Sequence, residues 1–129
     1  IIEILNVCEE NGVSGLIATN TTISSTTLKK PTSFEGGLSG KPLFKPSNNI
    51  LRLLAKKKNA STALIGVGGI FSATDIYEKI KMGASAVQIY TSFVYNGPRH
   101  VKKMEVELKK LLLNDGYSTI DSAVGALLR

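Results

Sequence analysis

The sequence predicts an α/β fold built from βα units on a parallel sheet. Three observations carry that reading. Short apolar runs alternate with stretches whose apolar residues recur at helical spacing, in the order helix, strand, helix, strand, helix, strand, helix, helix. Each apolar run ends on polar residues or glycine: Thr19-Asn20-Thr21, Gly68-Gly69 and Tyr90-Thr91-Ser92. Three parallel strands also make a poor sheet alone, because both faces need cover and both edges lie open. The elements therefore read as part of something larger. Two architectures remain: a doubly wound sheet, or the last strands of a (β/α)8 barrel, which needs roughly 250 residues.

In the opening stretch IIEILNVCEENG, Ile1, Ile4, Leu5 and Cys8 fall on one face of a helix, and Gly12 stands where a C-terminal cap belongs. A chain that opens inside an amphipathic helix, with neither methionine nor a signal-peptide pattern, reads as a piece of a longer one. Leu16, Ile17 and Ala18 form a short buried strand that ends near Thr19 and Asn20. The polar stretch from Thr21 to Ser47 follows, with five glycines or prolines between Pro31 and Pro42; loops of that length in compact domains are usually functional or disordered. Ser47 is the candidate cap of the next helix, with Ile50, Leu53 and Leu54 on its apolar side. ALIGV, residues 63–67, is the second strand. Ser72 and Asp75 make an S-x-x-D start for a helix with Ala73, Ile76, Tyr77 and Ile80 on its apolar face, ended by Gly83. SAVQIYTSF, residues 85–93, is the third strand. Pro98 suits a first helical turn, Val101, Met104, Leu108 and Leu111 line one side, Glu105 and Lys109 form an i, i+4 pair, and Gly116 stops the helix. A short amphipathic segment, Ile120 to Leu128, closes the chain.

The 129 residues suffice for one small core, and 43% hydrophobic with 20% charged residues is ordinary globular composition. No run of 18 apolar residues exists, so no membrane span lies within the chain. Cys8 is the single cysteine and makes no internal disulfide. The net charge of +6 is spread over Lys29 and Lys30, Lys56 to Lys58, Lys102 and Lys103, and Lys109 and Lys110. Those lysines fall on polar helix faces and helix C-termini rather than on one stripe with interleaved aromatics, which argues against nucleic acid.

In either architecture, ligands bind at the C-terminal ends of the strands. Gly68 and Gly69 precede a helix whose first turn carries free N–H groups, a start that favours phosphate when no Cβ blocks the approach. In barrels, a phosphate site made by the loops after the last two strands is frequent, and here those loops hold Gly68-Gly69 and Tyr90-Thr91. Neither nucleotide fingerprint fits: G-x-G-x-x-G fails at Phe71, and GGLSGKP fails the P-loop pattern at Glu35 and Pro42. Asn20-Thr21-Thr22 matches a glycosylation sequon, but it sits at a strand end and nothing marks the chain as secreted. His100, the only histidine, reads as a surface residue, Cys8 as packed, and no metal-ligand cluster is visible.

GLIATNTT, GGLSGKPL, LIGVGGI, EKIKMGASAVQIYTSFVYNGP and GYSTIDSAVGA occur in the order and spacing of class 2 dihydroorotate dehydrogenases, and the chain resembles that family over nearly its whole length. QIYTSFVYNGP is similar to class 2, the membrane-associated quinone-dependent enzymes, rather than to the soluble class 1. The resemblance implies the C-terminal portion of a (β/α)8 TIM barrel, its last three strands and flanking helices, with residues 1–129 as one segment of a single FMN-binding domain. It implies oxidation of dihydroorotate to orotate with FMN in de novo pyrimidine biosynthesis, with electrons passed to ubiquinone or another quinone. A non-catalytic half-barrel that binds FMN or phosphate is the alternative.

Residue by residue, the resemblance implies that Thr19, Ser39, Gly40, Gly68, Gly69, Tyr90 and Thr91 contact FMN. It implies that Asn20 and Thr21 contact substrate, and that Tyr90, Val94 and Pro98 line a quinone tunnel. The family's catalytic serine and its flavin-side lysine belong to upstream segments, as do the N-terminal helices that meet the membrane. No catalytic residue is therefore expected in this chain, and Ser24, Ser25 and Ser33 do not match the motif of the base. The expected partners are dihydroorotate or orotate, a quinone, the upstream part of the same enzyme and, through that part, a membrane. The expected location is the mitochondrial inner membrane, or the cytoplasmic face of a bacterial inner membrane.

Overall fold

The computed structural model describes residues 1–23 and 36–129. Lys29, Lys30, Ser24, Ser25, Ser33 and Glu35 lie outside the described residues. The elements run α1 (Ile2–Glu10), β1 (Gly15–Ala18), a 3₁₀ turn (Lys41–Leu43), α2 (Phe44–Lys57), β2 (Ala63–Val67), α3 (Ala73–Lys81), β3 (Ala86–Gln88), α4 (Thr91–Asn96), α5 (Pro98–Asn114) and α6 (Ile120–Ala123). The strands form one parallel sheet in the order β1-β2-β3. Leu16 pairs with Leu64 and Ala18 with Gly66 across the first ladder, and Val67 pairs with Gln88 at the end of the second.

Period-2 alternation divides the sheet into two faces. Ala18, Leu64 and Gly66 are buried on the face covered by helices, where Leu51 and Leu54 of α2, Ile76 and Ile80 of α3, and Met104, Leu108 and Leu112 of α5 complete the core. Ile17, paired with Ile65 on the other face, is 59% exposed. The expectation of a buried first strand therefore holds for one face only: the described helices cover one side of the sheet, whereas the interior side of a barrel would cover both.

Assignments in three helices change. α2 begins at Phe44, so Ser47 is not its cap but a buried residue inside it. Pro46 falls in the first turn, where its missing N–H would have had no partner anyway. The buried stripe of α2 is Ser47, Asn48, Leu51 and Leu54, while Leu53 is partly exposed. In α1 only Leu5 is buried, and Ile1 and Ile4 are exposed. In α5, Leu112 takes the core place expected of Leu111, Val101 is exposed, and Glu105 pairs with Lys102 at 2.9 Å instead of with Lys109.

The third strand is also shorter than its apolar run. It ends at Gln88, and Thr91, Ser92 and Phe93 belong to α4. The aromatic and β-branched residues after Gln88 favour an extended chain, but the ladder partner runs out at Val67, because β2 gives way to Gly68 there. Strand propensity without a partner strand does not hold a strand. At α3 the cap matches its motif, with Ser72 Oγ accepting from the Asp75 N–H, and at α6 Thr119 and Ser122 form a reciprocal capping box that the sequence reading did not single out. Among the described residues no helix is long and apolar enough to cross a membrane.

Candidate functional site

A cavity of about 230 Å³ opens at the C-terminal ends of all three strands. Four chain segments make its walls. Thr19, Asn20 and Thr21 follow β1, Ser39 and Gly40 precede the 3₁₀ turn, Gly68 to Phe71 follow β2, and Gln88 to Ser92 follow β3. The neck of the β1 loop is closed by Thr22 and Leu38, which exchange backbone hydrogen bonds of 3.2 and 2.7 Å. That bridge sets Ser39 and Gly40 opposite the β3 end, where the Thr91 hydroxyl donates to Ser39 Oγ at 3.3 Å.

The β2 loop is the polar floor. Two carbonyls at its start are held by the fold: Val67 O accepts from the Thr19 N–H at 3.3 Å and faces Lys79 Nζ at 3.5 Å, and Gly68 O accepts from the Ser47 hydroxyl at 3.2 Å. Carbonyl and N–H point in opposite directions across a trans peptide. The N–H groups of Gly68 and Gly69 are thereby sent the other way, and with that of Ile70 they have no partner among the described residues. Successive unpaired N–H groups on a loop that leads into a helix make a concavity suited to an anion.

The same geometry corrects the reason for the glycine pair. Gly68 and Gly69 have φ of 107° and 71°, a region that residues with a Cβ rarely adopt. A Cβ on Gly69 would lie 2.5 Å from Phe44 Cα, and one on Gly68 would lie 3.0 Å from Ser47 Cβ. Both would strike α2, not an incoming phosphate. These positions are glycine so that the loop can lie against the first turn of α2.

All nine residues expected at the flavin and substrate line this cavity: Thr19, Asn20, Thr21, Ser39, Gly40, Gly68, Gly69, Tyr90 and Thr91. Val94 and Pro98 do not. They lie beyond Tyr90 on the exposed side of α4 and at the start of α5. The Asn20 carboxamide is already half used, since its Oδ1 accepts from the Thr21 N–H at 2.7 Å, which leaves the Nδ2 donors for another group.

The family profile for dihydroorotate dehydrogenase matches residues 1–112. The chain belongs to this family. Dihydroorotate dehydrogenase (quinone) of Helicobacter acinonychis is 46% identical over 99% of the chain, and that of Myxococcus xanthus is 42% identical over 96%. The chain spans 36% and 34% of those two relatives. The ligand-free DHODH of Eimeria tenella superposes with a TM-score of 0.91 and 38% identity, over 98% of this chain and 36% of that one. Three parallel strands with flanking helices are thus a portion of the dihydroorotate dehydrogenase barrel, as the strand pattern and the motifs led us to expect.

Sequence reasoning missed three residues that support the site in this member of the dihydroorotate dehydrogenase family. Lys41 Nζ reaches both Asp75 oxygens at 3.0 and 2.8 Å and lies over the rings of Phe44 and Phe71. Asp75 also accepts from the Phe71 N–H at 2.8 Å. The third is Lys79, which is fully buried. Its signal was present, since it falls among Ile76, Tyr77 and Ile80 on the apolar arc of α3. Lys41 gave no local signal, because its partner lies 34 residues away.

Burial by itself pushes the Asp75 carboxyl up, and the bonds from Lys41, the Phe71 N–H and Ser72 bring it below the ordinary carboxylate value. A depressed carboxyl stabilises the fold above its unfolded pKa and loses that contribution as pH falls through the folded one. Asp75→Asn should therefore cost about 1–2 kcal/mol at pH 7, a figure kept low because Lys41 is largely exposed. The gap between wild type and variant should shrink below about pH 4. Denaturant midpoints at several pH values measure it, and a gap that widened on acidification would contradict the ion-pair account.

Proposed function

We propose that this chain forms the flavin-phosphate and substrate side of a quinone-dependent dihydroorotate dehydrogenase, an enzyme of de novo pyrimidine biosynthesis that converts dihydroorotate to orotate with FMN. The observation that carries the reading is the floor of the cavity, where the N–H groups of Gly68, Gly69 and Ile70 stand unpaired beneath a rim of hydroxyls and amides. Those donors fit the phosphate of FMN, with Tyr90 and Thr91 closing its far side. Thr19, Ser39 and Gly40 would lie along the flavin. Ser92, buried with an unpaired hydroxyl on the same wall, offers one more polar atom there. When bound, FMN would supply the redox chemistry, taking a hydride from the substrate and passing electrons on to ubiquinone or another quinone.

What the chain's own residues do is bind and orient. Asn20 presents its Nδ2 donors to a ring bearing carbonyls and a carboxylate, and Thr21 adds a hydroxyl beside it. Tyr90, Val94 and Pro98, on consecutive turns around the start of α4 and α5, form the quinone side. The proton-abstracting serine, the flavin-side lysine and the membrane-contacting helices would come from upstream segments of a complete enzyme, so that residues 1–129 are one segment of its barrel domain. A quinone acceptor ties that enzyme to a membrane. The Helicobacter and Myxococcus relatives are bacterial, which favours a bacterial inner membrane over the mitochondrial one expected first, although the Eimeria tenella structure is not from a bacterium.

The full-length protein carrying this chain should purify with bound FMN and reduce quinone when given dihydroorotate. A protein that bound flavin without turnover would favour the half-barrel alternative. Asn20→Ala provides the finer test. It should leave FMN content unchanged and lower kcat/KM for dihydroorotate by about one to two orders of magnitude, the equivalent of a lost hydrogen bond in a desolvated site of about 1–3 kcal/mol. Stopped-flow measurement separates the half-reactions: reduction by dihydroorotate should slow, whereas reoxidation by quinone should hold. Equal slowing of both would remove Asn20 from the substrate.

A further inference from the structure

Among the described residues, Lys79 is the one buried charge without a counter-ion in contact. Its side chain is 0% exposed, and its ammonium donates to Ser47 Oγ at 2.8 Å and Asn48 Oδ1 at 2.7 Å, with Val67 O at 3.5 Å; all three acceptors are neutral. The charged groups around it are engaged elsewhere. Glu78, on its own helix, accepts from the Asn48 amide at 3.0 Å, and Asp75, also on α3, is held by Lys41 and the Phe71 N–H. From α2 it meets only Ser47, Asn48 and the Phe44 ring, and from β2 only the backbone. Gly66 leaves room for the lysine stem, since a Cβ there would stand 3.0 Å from Lys79 Cδ.

An unpaired buried cation is expensive. Its place is informative. It stands behind the Gly68–Ile70 loop, on the side opposite the cavity, facing Val67 O and bonded to the serine that holds Gly68 O. We propose that Lys79 is a positioning residue for a phosphomonoester dianion on that loop: it holds the carbonyls back so that the N–H groups face the cavity, and its positive charge lies behind them as the anion's partner. This rests on the FMN reading above and adds a role for a residue that does not touch the ligand.

Burial pushes the Lys79 ammonium down to about 8, with the charges of Glu78 and Asp75 opposing the drop. The charge behind the loop is therefore present at pH 7 and largely gone by pH 9.5, while the phosphate remains a dianion throughout.

The test compares two flavins on the full-length protein after flavin removal. FMN carries the phosphate and riboflavin lacks it, so their affinity ratio isolates the anion. In wild type at pH 7 FMN should bind far more tightly, and the ratio should fall as pH rises to 9.5. Lys79→Met keeps the length of the stem without the charge. It should lower the FMN-to-riboflavin ratio about 10- to 100-fold, leave riboflavin affinity unchanged, and make the ratio independent of pH. Equal losses for both flavins, or no loss, would reduce Lys79 to packing and overturn the proposal. If the variant fails to fold, the wild-type series decides alone, and a ratio that is flat from pH 7 to 9.5 overturns it. A wild type that binds neither flavin would instead defeat the FMN reading itself.

Discussion

Replacing Gly69 with alanine should destabilise the full-length protein by about 2–5 kcal/mol and strip it of flavin. Two costs add. The residue's φ of 71° costs an L side chain about 1–2 kcal/mol, and overpacking against an unyielding neighbour adds about 1–3 kcal/mol. The neighbour is unyielding because the new Cβ meets the main chain of α2, 2.5 Å from Phe44 Cα, instead of the end of a flexible side chain. Gly12→Ala is the control. Gly12 has nearly the same φ, 70°, and open space where its Cβ would stand, so it should show the conformational cost alone. Denaturant midpoints of the two variants measure the difference. If they matched, the close approach of the β2 loop to α2 would be wrong.

The second large effect separates two leucines of one helix. Leu51 is fully buried at the centre of the core and Leu53 is 38% exposed. Leu51→Ala should cost about 2–5 kcal/mol, the range for a large-to-small change in a packed core, and Leu53→Ala about 1 kcal/mol or less. Equilibrium unfolding of the two variants decides between this stripe and the Ile50-Leu53-Leu54 stripe expected from the sequence.

That contrast shows where the sequence was legible. ALIGV spans the observed β2 residue for residue, because a short apolar run between Thr62 and a glycine pair has few other ways to be buried. The polar strand ends located the cavity for the same reason, since each marks the point where burial stops. α2 was misread because its buried stripe contains Ser47 and Asn48, polar residues that a hydrophobicity pattern sends to the surface. They are inside because Lys79 is inside, and that lysine is reached only once α3 is laid against α2. α4 was hidden for a comparable reason: whether IYTSF extends or coils depends on how far β2 runs beside it. Contacts distant in sequence decide both cases, and a window along the chain does not contain them.

The grip of the Asp75 carboxylate on Lys41 and on the Phe71 N–H has a consequence for how the chain can change in length. Two connections meet at that carboxylate, one arriving from β1 and one from β2. An added or deleted residue between Gly68 and Ser72 would rotate Asp75 off both partners and shift the start of α3 by a third of a turn. The Thr22–Leu38 bridge precedes Lys41 in the chain, so a change of length between those two residues leaves the count from Leu38 to Lys41, and with it the clasp, unchanged. Related sequences should accordingly vary in length between β1 and α2 and keep a fixed count between β2 and α3.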